Sequence, residues 1–242
     1  MSDPTPSPAP GPWTAEVLGA PDASSLVVVL NGGNWRPDIH ADMTQPLAAA
    51  LAGEGHRVWN VEYARAGMEG GGWPGSGLSV RAALSAAVRS AGDRPVVAVG
   101  HSAGGHLALW AARGTGVAGV VSLAGVTDLA RAGADPELGD DPELRGAVAA
   151  LLGVRPGERP DLVADASPIA GLPLGVPVIA IHGTADSLVG IEHSRTYVEA
   201  ARAAGDDAEL VVLDGADHRD PRDPDSAAWP AVRDSVARLA AS

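Results

Sequence analysis

The chain contains no cysteine, no lysine and no phenylalanine among its 242 residues. Without cysteine there is neither disulfide nor thiol catalysis, and redox chemistry leaves the compartment open; cytoplasm is the default expectation. Without lysine, all 17 positive charges are arginine, a pattern that reads as genomic composition bias. Positive charge is also outnumbered, with a formal net charge of −13. Nucleic-acid binding through phosphate neutralisation needs a basic face, so no nucleic-acid partner is expected, and the charge reads as solubility. No uninterrupted apolar run reaches the ~18 residues of a membrane span, so no membrane partner is expected either. The seven histidines are scattered without ligand spacing, so no metal site is expected. Gly70-Gly71-Gly72 lacks the lysine of a phosphate-binding loop. The Pro/Ser-rich start has neither the basic opening nor the apolar stretch of a signal peptide, and residues 1–12 are expected to form a disordered tail.

What is present fits one α/β domain over residues 13–242, at 45% hydrophobic composition. The organising stretch is residues 96–107. A β-branched apolar run ends at Gly100, a helical pattern begins at Ala103, and Gly100-His101-Ser102-Ala103-Gly104 lies between. A serine hydroxyl attacks only when a base takes its proton and the chain holds it clear of its own backbone. A sharp strand-to-helix turn does the second job, and glycines two positions either side let the chains pass.

Apolar runs at residues 24–30, 56–62, 96–100, 117–123, 178–182 and 209–213 read as strands. Helical patterns at about 42–52, 78–90, 103–113, 192–204 and 226–240 separate them. The alternation predicts a mostly parallel central sheet with helices on both faces. Residues 126–172 depart from it. They are acidic and Pro-rich, hold a short helix at 145–152, and carry a small echo in Asp135-Pro136-Glu137-Leu138 and Asp141-Pro142-Glu143-Leu144. This segment reads as a small cap insertion over the strand ends.

In parallel sheets chemistry collects beyond the carboxyl ends of the strands. Asn31-Gly32-Gly33-Asn34-Trp35, Ser102, Asp186 and His218 each follow a predicted strand, so they fall on one rim. His218, in the loop after the last strand and downstream of the acid, is the expected base. His101 and His106 flank the elbow and point off it, although His101 is carried as a candidate substrate contact. Asp186 is the expected acid, with helix capping as the competing use; Asp217 and Asp214 are the alternatives. Ala103 and the Gly32-Gly33-Asn34 segment are expected to supply oxyanion-hole N–H groups. Trp35 and Trp73 either wall a substrate pocket or pack beneath their loops. Glu62 and Arg65, with Tyr63 between them, read as an internal ion pair.

These motifs resemble the α/β-hydrolase superfamily, and within it the esterase-like branch that includes arylformamidase-like and acyl-esterase-like proteins. The resemblance runs from Asn31–Trp35 through Val61-Glu62-Tyr63-Ala64-Arg65, Gly70–Pro74, Gly100–Gly105, Ser167-Pro168, His182-Gly183-Thr184-Ala185-Asp186 and Gly215-Ala216-Asp217-His218. It implies an α/β-hydrolase fold, nucleophile Ser102, acid Asp186, base His218 and no cofactor. Asn31 and Asn34 depart from the His-Gly-Gly-aromatic pattern usual in the family. The expected activity is hydrolysis of a small ester or formamide through an acyl-enzyme. A prolyl-oligopeptidase-like peptidase is the enzymatic alternative, and a catalytically inactive binding module the non-enzymatic one. The expected partner is a small ester or amide, with a homodimer left open.

Overall fold

Short apolar runs send alternate side chains to opposite faces of a sheet, and that alternation builds the two layers of this protein. The structure, a computed structural model, describes residues 12–133 and 142–241. Seven strands form one sheet in the order β1-β3-β2-β4-β5-β6-β7. They are β1 (Trp13–Leu18), β2 (Leu26–Leu30), β3 (Arg57–Tyr63), β4 (Val96–His101), β5 (Gly119–Leu123), β6 (Val178–Gly183) and β7 (Ala208–Leu213). All neighbouring pairs are parallel except β1 with β3.

Val27 and Val29 of β2, with Val97 and Val99 of β4, pack on Leu47 and Leu51 of α1 (Gln45–Gly53) and on Val232 and Val236 of α8 (Trp229–Ala240). The intervening residues Leu26, Val28, Leu30 and Ala98 face the other layer. There they meet α2 (Gly75–Ala91) and α3 (Ala103–Ala112), in the same layer as α7 (Glu192–Ala203), which covers β6 and β7. Helices therefore cover both faces, as an α/β-hydrolase fold requires.

The edge strand β1 was not expected from the sequence. Its six residues are only partly buried, and Trp13 stacks on Trp59 of β3 at 5.9 Å between ring centroids. Residues 1–11 of the expected tail lie outside the described residues. Pro12 accepts a hydrogen bond from Ser79 Oγ at 2.9 Å, which anchors the chain at that point.

The insertion carries α4 (Leu129–Ala132), α5 (Pro142–Leu152) and α6 (Pro160–Ala166). Of the tetrapeptide echo, the first copy and Asp141 lie outside the described residues. Two tryptophans tie α6 to the body. Trp73 Nε1 donates to Asp165 Oδ2 at 2.9 Å, and Trp110 Nε1 donates to the Asp165 carbonyl at 2.8 Å. Trp73 N–H also reaches the Leu151 carbonyl at the end of α5. The start of α5 lies over the carboxyl end of β4, where Glu143 and Leu144 line a cavity with Ser102. Among the described residues no helix is long and apolar enough to cross a membrane.

Candidate active site

The turn between β4 and α3 is tight for a stated reason. A Cβ at Gly100 would stand 2.2 Å from the Gly104 carbonyl oxygen, and one at Gly104 would stand 2.2 Å from that of Leu30. Only glycine fits either place. Ser102 adopts φ 55° and ψ −118°, a left-handed conformation that a serine enters only under constraint. Its N–H donates to the Leu123 carbonyl at 2.8 Å, so the neighbouring strand holds the turn.

The loop after β2 is fitted against this turn. A Cβ at Gly32 would fall 2.9 Å from Ser102 Cβ and 3.0 Å from His101 Nδ1. Tyr63 Oη donates to the Asn31 carbonyl at 2.9 Å, and Asn31 Nδ2 donates to the Gly32 carbonyl, also at 2.9 Å. Asn34 and Trp35 take positive φ, which turns the loop across the serine. Gly33 and Asn34 line the cavity at Ser102; Gly32 and Ala103 stand next to it in the chain.

Asp186 is fully buried at its side chain and uses each oxygen differently. Oδ1 accepts the N–H groups of Leu188 and Val189, both at 2.9 Å. Oδ2 accepts from His218 Nδ1 at 2.7 Å and from His182 Nε2 at 3.1 Å. Helix capping is not the use realised: α7 starts only at Glu192, and the Oδ1 bonds close the bend before it. Burial on its own raises the proton affinity of this carboxyl, but the hydrogen bonds from His182, His218 and Val189 N–H outweigh it and hold the acid well below the usual carboxylate range. Asp214 instead accepts from Thr184 Oγ1, and Asp217 caps the N–H of Arg219.

Ser102, His101 and His218 line one cavity of about 220 Å³, together with Met43, Leu144, Leu188, Val189, Glu143, Arg219 and Arg222. His101 does not point off the elbow. Its ring lies 4.8 Å from that of His218, and its Nε2–H donates to the His218 carbonyl at 2.8 Å. Burial, and then the nearby His218 ring, push its proton affinity well below the ordinary histidine value, so it is neutral with an unprotonated Nδ1.

Neither tryptophan walls this cavity. Trp35 is fully buried in the core, with Nε1 donating to His106 Nδ1 at 3.2 Å, and Trp73 packs edge-on against Trp110 at 4.5 Å. The competing possibility, packing beneath the loops, is the one realised, because α3 supplies His106 to Trp35 and Trp110 to Trp73, and the insertion adds Asp165. Glu62 contacts Arg65 and also accepts the N–H of Ala41 at 2.8 Å, so the ion pair braces the loop before α1. Among the described residues no group of three metal-ligating side chains is present.

Sequence reasoning missed His182, the second donor to Asp186, although it stands four residues before the acid at the end of β6. It also missed Arg219 and Arg222, which the run His218-Arg219-Asp220-Pro221-Arg222 carries straight from the base to the cavity wall.

Fold and site together define an esterase-like hydrolase of the α/β-hydrolase superfamily. The chain belongs to the BD-FAE family, whose model matches residues 19–200. No curated protein matches the chain. Among solved structures, a truncated carbohydrate esterase from gut microbiota superposes with a TM-score of 0.77 at 23% identity, over 90% of this chain and 86% of that one. Esterase 2 of Thermogutta terrifontis, phosphonylated by sarin, gives 0.75 at 22% identity, over 94% and 88%. A bifunctional GH43-CE protein of Bacteroides eggerthii gives 0.78 at 23%, over 94% of this chain and 33% of that one. These likenesses establish the fold.

Proposed function

We propose that the protein is a serine esterase that cleaves a small carboxylic ester through an acyl-enzyme. The observation that carries the reading is the 2.7 Å hydrogen bond from His218 Nδ1 to Asp186. With Nδ1 carrying the proton, Nε2 is the ring's acceptor, in the same cavity as Ser102. His218 takes the Ser102 proton as Oγ bonds to the ester carbonyl carbon. The N–H groups of Gly33, Asn34 and Ala103 receive the oxyanion, and the dipole of α3 supports them. The C–O bond to the leaving group then breaks as His218 returns the proton to it. Water attacks the acyl-enzyme by the same route in reverse, which releases the acid and restores Ser102. Asp186 holds the imidazole ring and stabilises its cation. Every step is assigned to this chain's own groups.

Membership of the BD-FAE family and a fold shared with esterases support ester over amide cleavage. The formamide reading came with the arylformamidase-like resemblance, and the two tryptophans that could have walled an aromatic substrate are used elsewhere. The test is kcat/KM on a short-chain p-nitrophenyl ester and on N-formylkynurenine, with Ser102→Ala as blank, alongside labelling by a fluorophosphonate. Ester turnover and labelling that both vanish in the variant are expected. Turnover of the formamide alone would move the activity to amides, and equal labelling of the variant would remove Ser102 as nucleophile.

A further inference from the structure

The cavity beside Ser102 carries two arginines in a protein whose net charge is −13. Arg222 is half-buried. Its Nη1 donates to the Met43 carbonyl at 3.0 Å, its Nε is buried without an acceptor, and its Nη2 makes no hydrogen bond among the described residues. A guanidinium offers five N–H donors, and one buried with so few acceptors is under-satisfied. Burial, followed by repulsion from Arg219, lowers its proton affinity from the ordinary arginine value, although Asp223 and Asp217 act in the other direction.

The nearby acids bond backbone N–H groups rather than the Arg222 guanidinium. Asp217 Oδ1 accepts the N–H groups of Arg219 and Asp220, Asp220 Oδ2 accepts that of Asp217, and Asp223 Oδ1 accepts that of Asp225. Neither Arg219 nor Arg222 forms an ion pair among the described residues. Among the described residues Glu143, on α5, is the one acid lining the cavity, and it has a partner of its own. Among the described residues no carboxylate bonds either guanidinium, and the N–H donors this leaves at the cavity suit a carboxylate.

We propose that Arg222, seconded by Arg219, forms an anion subsite beside Ser102, and that the preferred substrate is an ester bearing a carboxylate that seats there. The proposal rests on the serine-esterase reading. Placing these arginines on the segment that follows His218 fixes the carboxylate relative to the base as well as to the nucleophile.

The experiment compares matched esters at low ionic strength: 4-acetoxybenzoate with its neutral methyl ester, and monophenyl glutarate with phenyl pentanoate. The first pair places the charge on the leaving group, the second on the acyl group. In at least one pair kcat/KM should favour the charged member by about tenfold or more, the scale of one charge-assisted hydrogen bond. That ratio should fall toward one in Arg222→Met and in high salt, survive in part in Arg222→Lys, and stay unchanged in the surface control Arg195→Gln. Should Arg222→Met fail to fold, the lysine variant and the salt titration carry the test. Preference for the neutral member in both pairs, or a charged preference that survives Arg222→Met and Arg219→Gln, overturns the subsite. So does failure to turn over all four esters while Ser102 still takes a fluorophosphonate. Loss of that labelling in the wild type would instead bring down the hydrolase reading itself.

Discussion

His182 and His218 donate to one oxygen, Oδ2 of Asp186, at 3.1 and 2.7 Å. His182 shares its Nε2–H with the Val189 carbonyl at 2.8 Å, so its Nδ1 is the acceptor for Ser194 Oγ–H at 2.7 Å. The acid is thereby held by two histidines and two backbone N–H groups. A carboxylate so saturated has little freedom to turn, and the ring it orients inherits that rigidity.

His182 is thus a positioning residue. His182→Leu should lower kcat by about ten- to a hundredfold, the scale of one lost hydrogen bond to a buried charge, with KM little changed. It should also lower Tm, because Ser194 Oγ and Asp186 each lose a partner. His182→Gln keeps one donor and one acceptor and should restore part of both. Equal kcat in the leucine and glutamine variants would show that bulk alone matters there. Steady-state kinetics and thermal melts on the three proteins decide it.

Ser102 is held at φ 55°, where a side chain costs about 1–3 kcal/mol. Ser102→Gly relieves that strain at the expense of roughly 0.5–1 kcal/mol of added backbone freedom. It should therefore be more stable than Ser102→Ala by about 1 kcal/mol in urea unfolding. Both variants should lose activity by at least about a thousandfold. An alanine variant as stable as the glycine one would mean that the turn is unstrained.

Gly32 lies against the serine it serves. A methyl group there meets Ser102 Cβ at 2.9 Å and both His101 Nδ1 and the His101 carbonyl at 3.0 Å, so the loop must retreat. Gly32→Ala should cost about a hundredfold in kcat, because donors displaced by a fraction of an ångström no longer converge on the oxyanion. The change in Tm should be small, since the loop moves toward the open cavity. Activity within a factor of three of wild type would separate this loop from the oxyanion.

How much of this was legible in the sequence depended on range. The central strands were readable because buried parallel strands are continuous β-branched runs, as in residues 26–30 and 96–99. The turns that carry Ser102, Asp186 and His218 were readable as turns because each is a local geometry with its own residue types. β1 was not, since an edge strand half-exposed to solvent needs no apolar run, and Thr14 and Glu16 interrupt it. The start of α2 was hidden by Gly75 and Gly77, which read as loop. Gly77 is there for closeness: a Cβ would stand 2.6 Å from the Trp110 ring. Trp35 and Trp73 take their roles from partners 71 and 92 residues away, and no local pattern announces such contacts.

His106 makes one of those long-range contacts and gives stability its pH dependence. It is fully buried, accepts from Trp35 Nε1 at Nδ1, and donates from Nε2 to the Ala166 carbonyl at 2.8 Å, which joins the oxyanion loop to the insertion. Both nitrogens are committed to a neutral ring. Burial lowers its pKa from 6.5 to about 4, although the bond to Ala166 works in the other direction. As pH falls from 6.5 to 4 the unfolded chain binds a proton that the folded chain refuses, so stability falls through that window and levels off below it. Integrated over the window the loss is about 3 kcal/mol in order of magnitude. His56 and His101, also lowered mainly by burial, act in the same direction. His106→Gln can still accept from Trp35 and donate to Ala166, and it does not titrate. Its urea midpoint should therefore depend less steeply on pH between 6.5 and 4 than that of wild type, with the two proteins closest in stability at the acid end. Parallel profiles would show that His106 keeps its proton equilibrium on folding and that the cross-brace has no electrostatic cost.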